Sequence, residues 1–422
     1  MRLENGSYYV QNHRLTDLAR QFGTPLYVYD GAKITEQIAS LRSAFPGIHL
    51  KIKYACKALT TQGILKLMLR HGVDLDVVSP GELQMGLRAG YRGDQITFTP
   101  SGVSFDEIEA AVQVGAFVNL DNLDVLEEFG RRYGSSKPCM IRIKPNVAAG
   151  GHQKIMTAHE ASKFGIDIRQ RAEILDLVQR YDLHVVGLHQ HTGSDIKEAT
   201  AFREAAGKLF ELAFEFPDLR YIDLGGGFKV SYREGDPVTD VAAFGAEMAQ
   251  FFRHFCQRYD RDLELWLEPG KFLVSEAGLL LVSVNVVKPA PGRTFLGVNS
   301  GLNHLIRPMM YDAHHDVINL SNPSPTDLET YDVVGYICET DTLAAGRTIS
   351  RTTKGDVLAF KNAGAYGFTM ASNYNARPRP AEVLVYENRV HLIRRRESLE
   401  DLLRTQVDVD FTLLEKSPVS AE

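Results

Sequence analysis

The sequence predicts an α/β protein, a (β/α)8 TIM-type barrel joined to a second, all-β domain. Three observations carry that expectation. Eight short apolar runs, rich in β-branched and aromatic residues, alternate with amphipathic stretches up to about Gly270. Alternating strands and helices imply a parallel sheet, and eight such units suit closure into a barrel. Beyond Gly270 the alternation stops and strand-like runs follow one another directly. With 422 residues the chain is also too long for a single core.

The eight candidate strands are Ile52–Cys56, Leu75–Ser79, Ile96–Pro100, Phe117–Asp121, Met140–Lys144, Val185–Gln190, Tyr221–Leu224 and Leu263–Leu267. Between them, Ile64, Leu65, Met68 and Leu69 form one helical face, and Ile168, Ala172, Leu175 and Val178 another. Ser104 with Glu107 reads as a capping box that opens the helix after the third strand. An open doubly wound sheet fits the same periodicity, which does not separate the two folds. In the second part, Gly278–Lys288 and Thr294–Val298 read as strands joined across Pro289–Arg293. Val333–Ile337, Asp356–Phe360 and Val383–Tyr386 follow, the last pairing with Val390–Ile393 across a short turn. Leu320–Thr330 reads as a loop, and the end of the chain from about Glu415 as a frayed tail. The expected division is a barrel over 25–270, with 1–24 joining 271–422 in the β-rich domain.

Composition narrows the function classes. The chain is 44% hydrophobic and 24% charged, ordinary for a soluble globular protein. Its net charge of −6 and scattered basic residues argue against nucleic acid as a partner. No apolar run approaches a membrane span, and the N-terminus lacks a signal-peptide pattern. Cys56, Cys139, Cys256 and Cys338 are far apart, which argues against a disulfide framework and for reduced thiols in a cytoplasmic protein.

Chemistry-bearing residues sit where the strands end. Lys57 follows the first strand, His189 and His191 lie at the end of the sixth, Gly225, Gly226 and Gly227 follow the seventh, and Glu268 follows the eighth. In a barrel these ends meet on one face, where active sites are built. Each has an ordinary reading: a solvated lysine, a packed histidine pair, a tight glycine turn, a turn carboxylate. Together they supply more. A lysine whose pKa is lowered by burial or neighbours can form a Schiff base. The glycines can present backbone N–H groups to a phosphate, and His191 can stack on a flat ring. Glu268 can hold a pyridine nitrogen protonated, which makes pyridoxal phosphate an electron sink. The histidine pair could bind a metal, but matching ligands at the other strand ends are missing, so no metal is expected. The triple glycine is not a dinucleotide fingerprint.

With these residues in view, the chain resembles the fold-type III pyridoxal-phosphate-dependent decarboxylases, which share an alanine-racemase-like barrel, and within them the enzymes acting on diaminopimelate. The resemblance runs from about Gly23 to about Val385. YACKA matches the cofactor-lysine motif and implies that Lys57 carries pyridoxal 5'-phosphate. HTGS implies that His191 stacks on the ring and Ser194 contacts the phosphate, with Gly225–Gly227 as the phosphate-binding glycines and Glu268 of EPGK as the partner of the ring nitrogen. RPMMY implies that Arg307 and Tyr311 grip the carboxylate at the substrate's far end. CET implies Cys338 as proton donor and Glu339 as partner of the distal ammonium, in a homodimer with shared active sites. Tyr366 of GAYG matches a tyrosine near cofactor and substrate.

Two departures stand out. Lys271 occupies the place of the family's arginine, keeping the charge but losing the bidentate fork, and Asp341 sits one position early after CET. The resemblance implies decarboxylation of meso-2,6-diaminopimelate to L-lysine, with Arg307, Tyr311, Glu339, Tyr366 and Lys271 reading the substrate. The alternatives are another basic-amino-acid or carboxylated-polyamine decarboxylase of the same fold, or a homologue that binds cofactor without turnover.

Overall fold

The computed structural model describes residues 1–147, 162–194 and 199–411. The tail expected from Glu415 lies outside these.

Eight strands follow one another in the order that the sequence pattern sets. They are β1 (His49–Ala55), β2 (Asp74–Val77), β3 (Ile96–Phe98), β4 (Phe117–Leu120), β5 (Pro138–Lys144), β6 (His184–His189), β7 (Tyr221–Asp223) and β8 (Glu264–Leu267). Every neighbouring pair is parallel, and β8 pairs back onto β1, which closes the barrel. Closure removes the open-sheet alternative.

Side chains alternate along each strand, and the alternation decides what each face buries. Ile52, Tyr54, Leu75, Ile96, Phe98, Val118, Ile141, Ile222 and Leu265 join the large apolar core shared with the surrounding helices. Their sequence neighbours Lys53, Asp74, Asp76, Thr97, Asn119, Arg142 and Asp223 are buried as well, on the opposite face. A small aromatic cluster of Phe117, Tyr221 and Trp266 with Met140 and Val186 packs apart from the main core. Lys53, completely buried, lays its ammonium 3.9 Å from the centroid of a Trp266 ring and 3.8 Å from Asp74. The inner face of this barrel is thus unusually polar above an aromatic layer.

The helix after β3 spans Phe105–Gln113 and starts where Ser104 places it, but no side-chain cap forms. The contact made is between backbones, Glu107 N–H to Ser104 C=O at 3.2 Å, so the capping box read from Ser104 and Glu107 is absent.

The β-rich part is one twisted sheet, and its order explains the chain's path. Thr342–Ser350, Leu328–Val334, Arg293–Val298, Gly278–Ala290, Leu26–Asp30, Ala381–Tyr386 and Arg389–Arg394 lie side by side in that order, with Val357–Phe360 and Val317–Asn319 branching from Gly278–Ala290. Leu26–Asp30 was expected on the barrel side of a boundary at 25. It instead pairs with Gly278–Ala290 and Ala381–Tyr386, so the chain enters the barrel only with the helix Gly31–Ala44. Val10, Leu15 and Leu18 of the N-terminal segment pack on the same sheet against Leu26, Val28, Leu281 and Val383. All four cysteines are free, and Cys338 alone is exposed. Among the described residues no helix is long and apolar enough to cross a membrane.

One buried carboxylate ties the two parts. Glu382, with no exposure, accepts hydrogen bonds from Tyr29 Oη at 2.8 Å, from Thr61 Oγ1 and from Arg394 Nε. Thr61 precedes the barrel helix Gln62–Arg70, whereas Tyr29 and Arg394 belong to the sheet. Removing the acceptor strands two buried hydroxyls and a guanidinium. Glu382→Ala should therefore cost about 3 kcal/mol of stability, read as a lower urea midpoint, and Glu382→Gln should cost less. A Glu382→Ala midpoint equal to that of the parent would show that the tie is dispensable.

Candidate active site

The barrel's C-terminal strand ends, joined by Tyr366 from the β-rich part, place seven of the residues singled out above around one cavity. Lys57, His191, Ser194, Gly227, Glu268, Lys271 and Tyr366 line it, with Ala55, Phe228, Pro269, Gly270 and Phe272. Gly225 and Gly226 form its wall behind His191. Arg307, Tyr311, Cys338 and Glu339 do not line it.

The floor is held by hydrogen bonds between strand ends. Ala55 N–H donates to Pro269 C=O at 3.2 Å, so the turn carrying Lys57 lies against the turn after Glu268. Glu268 N–H donates to Gly225 C=O at 2.7 Å. Gly226 N–H donates to His191 Nδ1 at 3.2 Å, which leaves the ring proton on Nε2. Burial pushes the His191 imidazole down to about 3, with Lys57 adding repulsion, so it is a neutral ring. Two of the glycines are forced: an added Cβ on Gly226 would lie 2.2 Å from Glu268 C=O, and one on Gly225, whose φ is +71°, would lie 2.5 Å from His191 Nδ1.

Glu268 is the buried charge at the centre. Its Oε2 lies 3.1 Å from His189 Nε2, and the carboxylate can only accept, so His189 donates. Burial pushes Glu268 up, but the hydrogen bond from His189 and the charge of Lys57 outweigh it and hold the carboxyl below its usual range. Burial keeps His189 neutral. The other oxygen, Oε1, is buried and has no hydrogen-bond partner among the described residues. Such an orphan acceptor is rare in a folded protein and calls for a partner. A pyridinium N–H satisfies it. The orphaned oxygen, the glycine wall and the neutral ring of His191 all fit pyridoxal phosphate.

Lys57 opens onto the cavity. Burial lowers its pKa, but the charges of Tyr366, Asp76 and Glu268 prevail and the net shift is upward. The sequence reading expected a lowered pKa, and the reason for the difference is this ring of acidic groups, most of which come from other strands. Tyr366 holds a left-handed backbone, φ +57°, fixed by its N–H donating to Ala58 C=O at 2.9 Å. That conformation is costly for an aromatic residue, and here it sits on the cavity that Lys57 also lines.

Three buried groups on the inner face were not read as site residues. Arg142 on β5 is pushed down by burial while Glu268, Asp121, Asp76 and Asp223 favour its charge. Asp76 and Asp223 are both pushed well up, first by burial and then by the charge of Glu268. The signal was available, since a charged residue inside MIRIK or VDLDV must face inward if its neighbours face the helices. His189, Asp223 and Glu268 also bring ligand atoms within 4.8 Å of one another, a spacing that a metal could use. Within this group His189 donates to Glu268, and Asp223 Oδ1 accepts from Gly225 N–H at 2.8 Å.

The substrate-side residues sit in the β-rich part. Arg307 is buried in the short helix Arg307–Tyr311. Cys338 Sγ donates to Asn375 Oδ1 at 3.5 Å, and Glu339 accepts from Tyr374 Oη at 2.5 Å, both on the surface. Asp341, the residue that arrives one position early, is almost wholly buried. It accepts from Leu302 N–H at 2.6 Å and Ile337 N–H at 2.9 Å and packs on Gly301 and Gly335. Its departure from the motif therefore leaves a firm anchor for the loop that carries Cys338 and Glu339.

Known proteins match this sequence and fold. The family model for the pyridoxal-binding domain of pyridoxal-dependent decarboxylases matches residues 31–275. The diaminopimelate decarboxylase of Methanothermobacter thermautotrophicus is 36% identical over 92% of this chain and 93% of its own length. The chain belongs to the diaminopimelate decarboxylase family. That of Pseudomonas fluorescens is 37% identical over 94% of this chain and 96% of its own. Among solved structures, the Helicobacter pylori diaminopimelate decarboxylase complexed with L-lysine is 32% identical with a TM-score of 0.84, covering 92% of this chain and 98% of its own. The one from M. jannaschii, also with L-lysine, is 29% identical with a TM-score of 0.87, covering 97% and 98%. As a member of this family the chain is a pyridoxal-phosphate-dependent decarboxylase, and the division seen in the family model at 31 coincides with the start of the helix Gly31–Ala44.

Two outcomes follow from the site. Gly226→Ala should displace the turn of Glu268 and weaken cofactor retention by about tenfold or more, since the overlap is with backbone; dialysis followed by cofactor assay measures it, and full retention contradicts the packing. The second concerns acid. His191 binds a proton in the unfolded chain below 6.5 but in the folded chain only near 3. Its share of stability is present above 6.5 and lost as pH falls through that window. His191→Phe should flatten the decline in unfolding midpoint between pH 6.5 and 4, and an unchanged slope would count against a buried neutral imidazole.

Proposed function

We propose that this chain converts meso-2,6-diaminopimelate to L-lysine and carbon dioxide. The observation that carries the reading is Lys57 opening onto one cavity with Glu268, whose free carboxylate oxygen lacks a partner. Bound pyridoxal phosphate supplies an electron sink for the carbon that loses carboxylate. The chain's own groups do the rest. Lys57 Nζ would tether the cofactor and would be the group that the substrate amine replaces. Glu268 Oε1 holds a proton on the ring nitrogen. His191 covers one ring face, while Ser194 and the glycine turn Gly225–Gly227 take the phosphate, with Gly225 and Gly226 N–H already given to Asp223 and His191 to shape that turn. Tyr366 borders the reacting carbon.

At the far end of the substrate, Arg307, Lys271 and Tyr311 bind the second carboxylate and Glu339 its ammonium. A substrate lacking those charges leaves buried partners unpaired and is rejected. The proton that replaces carbon dioxide comes from Cys338 or Lys57. Cys338 and Glu339 are exposed and outside their own chain's cavity, which supports a homodimer in which each copy's CET loop completes the other's site. The barrel from Gly31 to about 270 as cofactor domain, and 1–30 with 271–422 as substrate domain, is the division of labour in this reading. A small amino acid is the partner, with neither nucleic acid nor membrane, in the cytoplasm.

Carbon dioxide release across diaminopimelate, lysine, ornithine and arginine tests the substrate, with diaminopimelate expected to lead in kcat/KM. A lead for ornithine would overturn it. Lys57→Ala should abolish the visible absorbance of the purified holoenzyme. Arg307→Ala should lower kcat/KM for diaminopimelate by at least a hundredfold, on the order of 3 kcal/mol for a charge left unpaired. Retained activity in that variant would remove Arg307 from the role.

A further inference from the structure

Resting on that reading of Arg307, we propose that His315 and Tyr232 are positioning residues that seat Arg307 for the substrate's distal carboxylate. The argument begins with a tautomer. His315 is completely buried, and its Nδ1 lies 2.8 Å from Lys361 C=O. A carbonyl only accepts, so Nδ1 carries the proton and Nε2 presents a lone pair. Arg307 places a terminal guanidinium nitrogen 3.2 Å from that Nε2, and only the guanidinium has hydrogens to give. The backbone of residue 361 therefore sets the tautomer that lets a neutral histidine accept from a cation.

The second wall of the seat is aromatic. The guanidinium carbon of Arg307 lies 4.9 Å from the centroid of the Tyr232 ring, and that ring stands at 90° to the His315 imidazole, 5.7 Å away. Tyr232 is itself pinned, its hydroxyl 3.0 Å from Ser275 Oγ. Guanidinium over an aromatic face is an attractive geometry. Edge and face of one cation are thus fixed by two rings that stand perpendicular to each other. Burial and the charge of Arg307 push His315 down to about 3, which keeps it an acceptor throughout the working range of pH.

What the seat leaves over is the functional point. Apart from His315, the guanidinium donates to no side chain or carbonyl among the described residues, while the residue is only 7% exposed. A nearly buried arginine held by one nitrogen and one face keeps its remaining donors for a ligand, and a fork of donors fits a carboxylate. Tyr232 lies on the loop that starts with Gly225–Gly227, and Ser275 lies four residues after Lys271. The seat thereby fixes the reader of the far carboxylate relative to both the phosphate-binding turn and the second cation, Lys271. This matters more here than where an arginine stands in place of Lys271, because a lysine has no rigid fork to share the task.

The test compares ligands that differ in one group. L-lysine keeps a carboxylate and cadaverine lacks it. Titration of each into the holoenzyme, followed by the cofactor's visible spectrum, gives both affinities. For His315→Leu, L-lysine affinity is expected to fall and KM for diaminopimelate to rise by about ten- to a hundredfold, the range of a lost hydrogen bond to a charged group. The change in kcat should be smaller, and cadaverine affinity should hold. His315→Gln, which can return an oxygen acceptor toward Arg307, should recover part of the loss. Tyr232→Leu should show the same selective loss, and it carries the test if His315→Leu does not fold. Equal losses for L-lysine and cadaverine, or no loss in either variant, overturn the seat. A parent enzyme that binds both ligands alike overturns the reading of Arg307 itself, and the seat with it.

Discussion

A carboxylate held ionised inside the barrel is the constraint on which the rest of this molecule depends. Glu268 lies at the end of β8, almost fully buried, and burial alone would neutralise it. It stays charged because His189 donates to one oxygen and Lys57 faces it across the cavity. These partners come from β6 and from the turn after β1, so no local segment can assemble them. Only a closed barrel brings the ends of its sixth, first and eighth strands together. The backbone bonds from Ala55 to Pro269 and from Glu268 to Gly225 are the stitches that hold this geometry.

Keeping one charge there affects the whole inner face. Five acids, Asp74, Asp76, Asp121, Asp223 and Glu268, are buried on strands or strand ends, opposed by fewer cations: Lys51 and Lys53 beside Asp74, and Lys57 and Arg142 nearer the cavity. The imbalance is relieved by protonation, since burial and the field of Glu268 push Asp76 and Asp223 toward their neutral forms. Neutral carboxyls can donate as well as accept, which suits a dry network better than more ions would. Below it, Lys53 is placed on the face of Trp266 beside Asp74, an arrangement that holds a cation with little water. The barrel is therefore stratified, with an aromatic layer beneath a charged layer that faces the cavity.

Much of this was legible in the chain, and the exceptions share a cause. The eight strands could be found because each is a short apolar run closed by polar residues, and the cluster of Lys57, His191, Gly225–Gly227 and Glu268 because all sit just past such runs. Leu26–Asp30 could be recognised as extended but not allotted, because its partners lie some hundreds of residues away and pairing leaves no local trace. Ser104 and Glu107 had the right spacing for a box, yet spacing does not fix rotamers. Asp341 looked like a displaced motif residue, while its bonds to Leu302 and Ile337 show a carboxylate serving the loop's own backbone. In each case the missing information was a contact between distant segments.

The same limit explains why recognition of the substrate's far end was harder to read than the cofactor site. The cofactor groups are borne by one rigid barrel, so their sequence positions translate directly into a common face. Arg307 belongs to the β-rich part and must be aimed at a cavity it does not line. An arginine side chain has many rotamers, and on its own it would lose much of its binding energy to ordering. Contacts from Lys361 through His315, and from Ser275 through Tyr232, remove that freedom before any ligand arrives. A substrate with a carboxylate at that end then meets donors already in place, and one without it leaves them unsatisfied in a nearly buried site. In the proposed reading, selectivity for length and charge rests on the β-rich part, whose sheet Glu382 ties to the barrel through Tyr29 and Thr61.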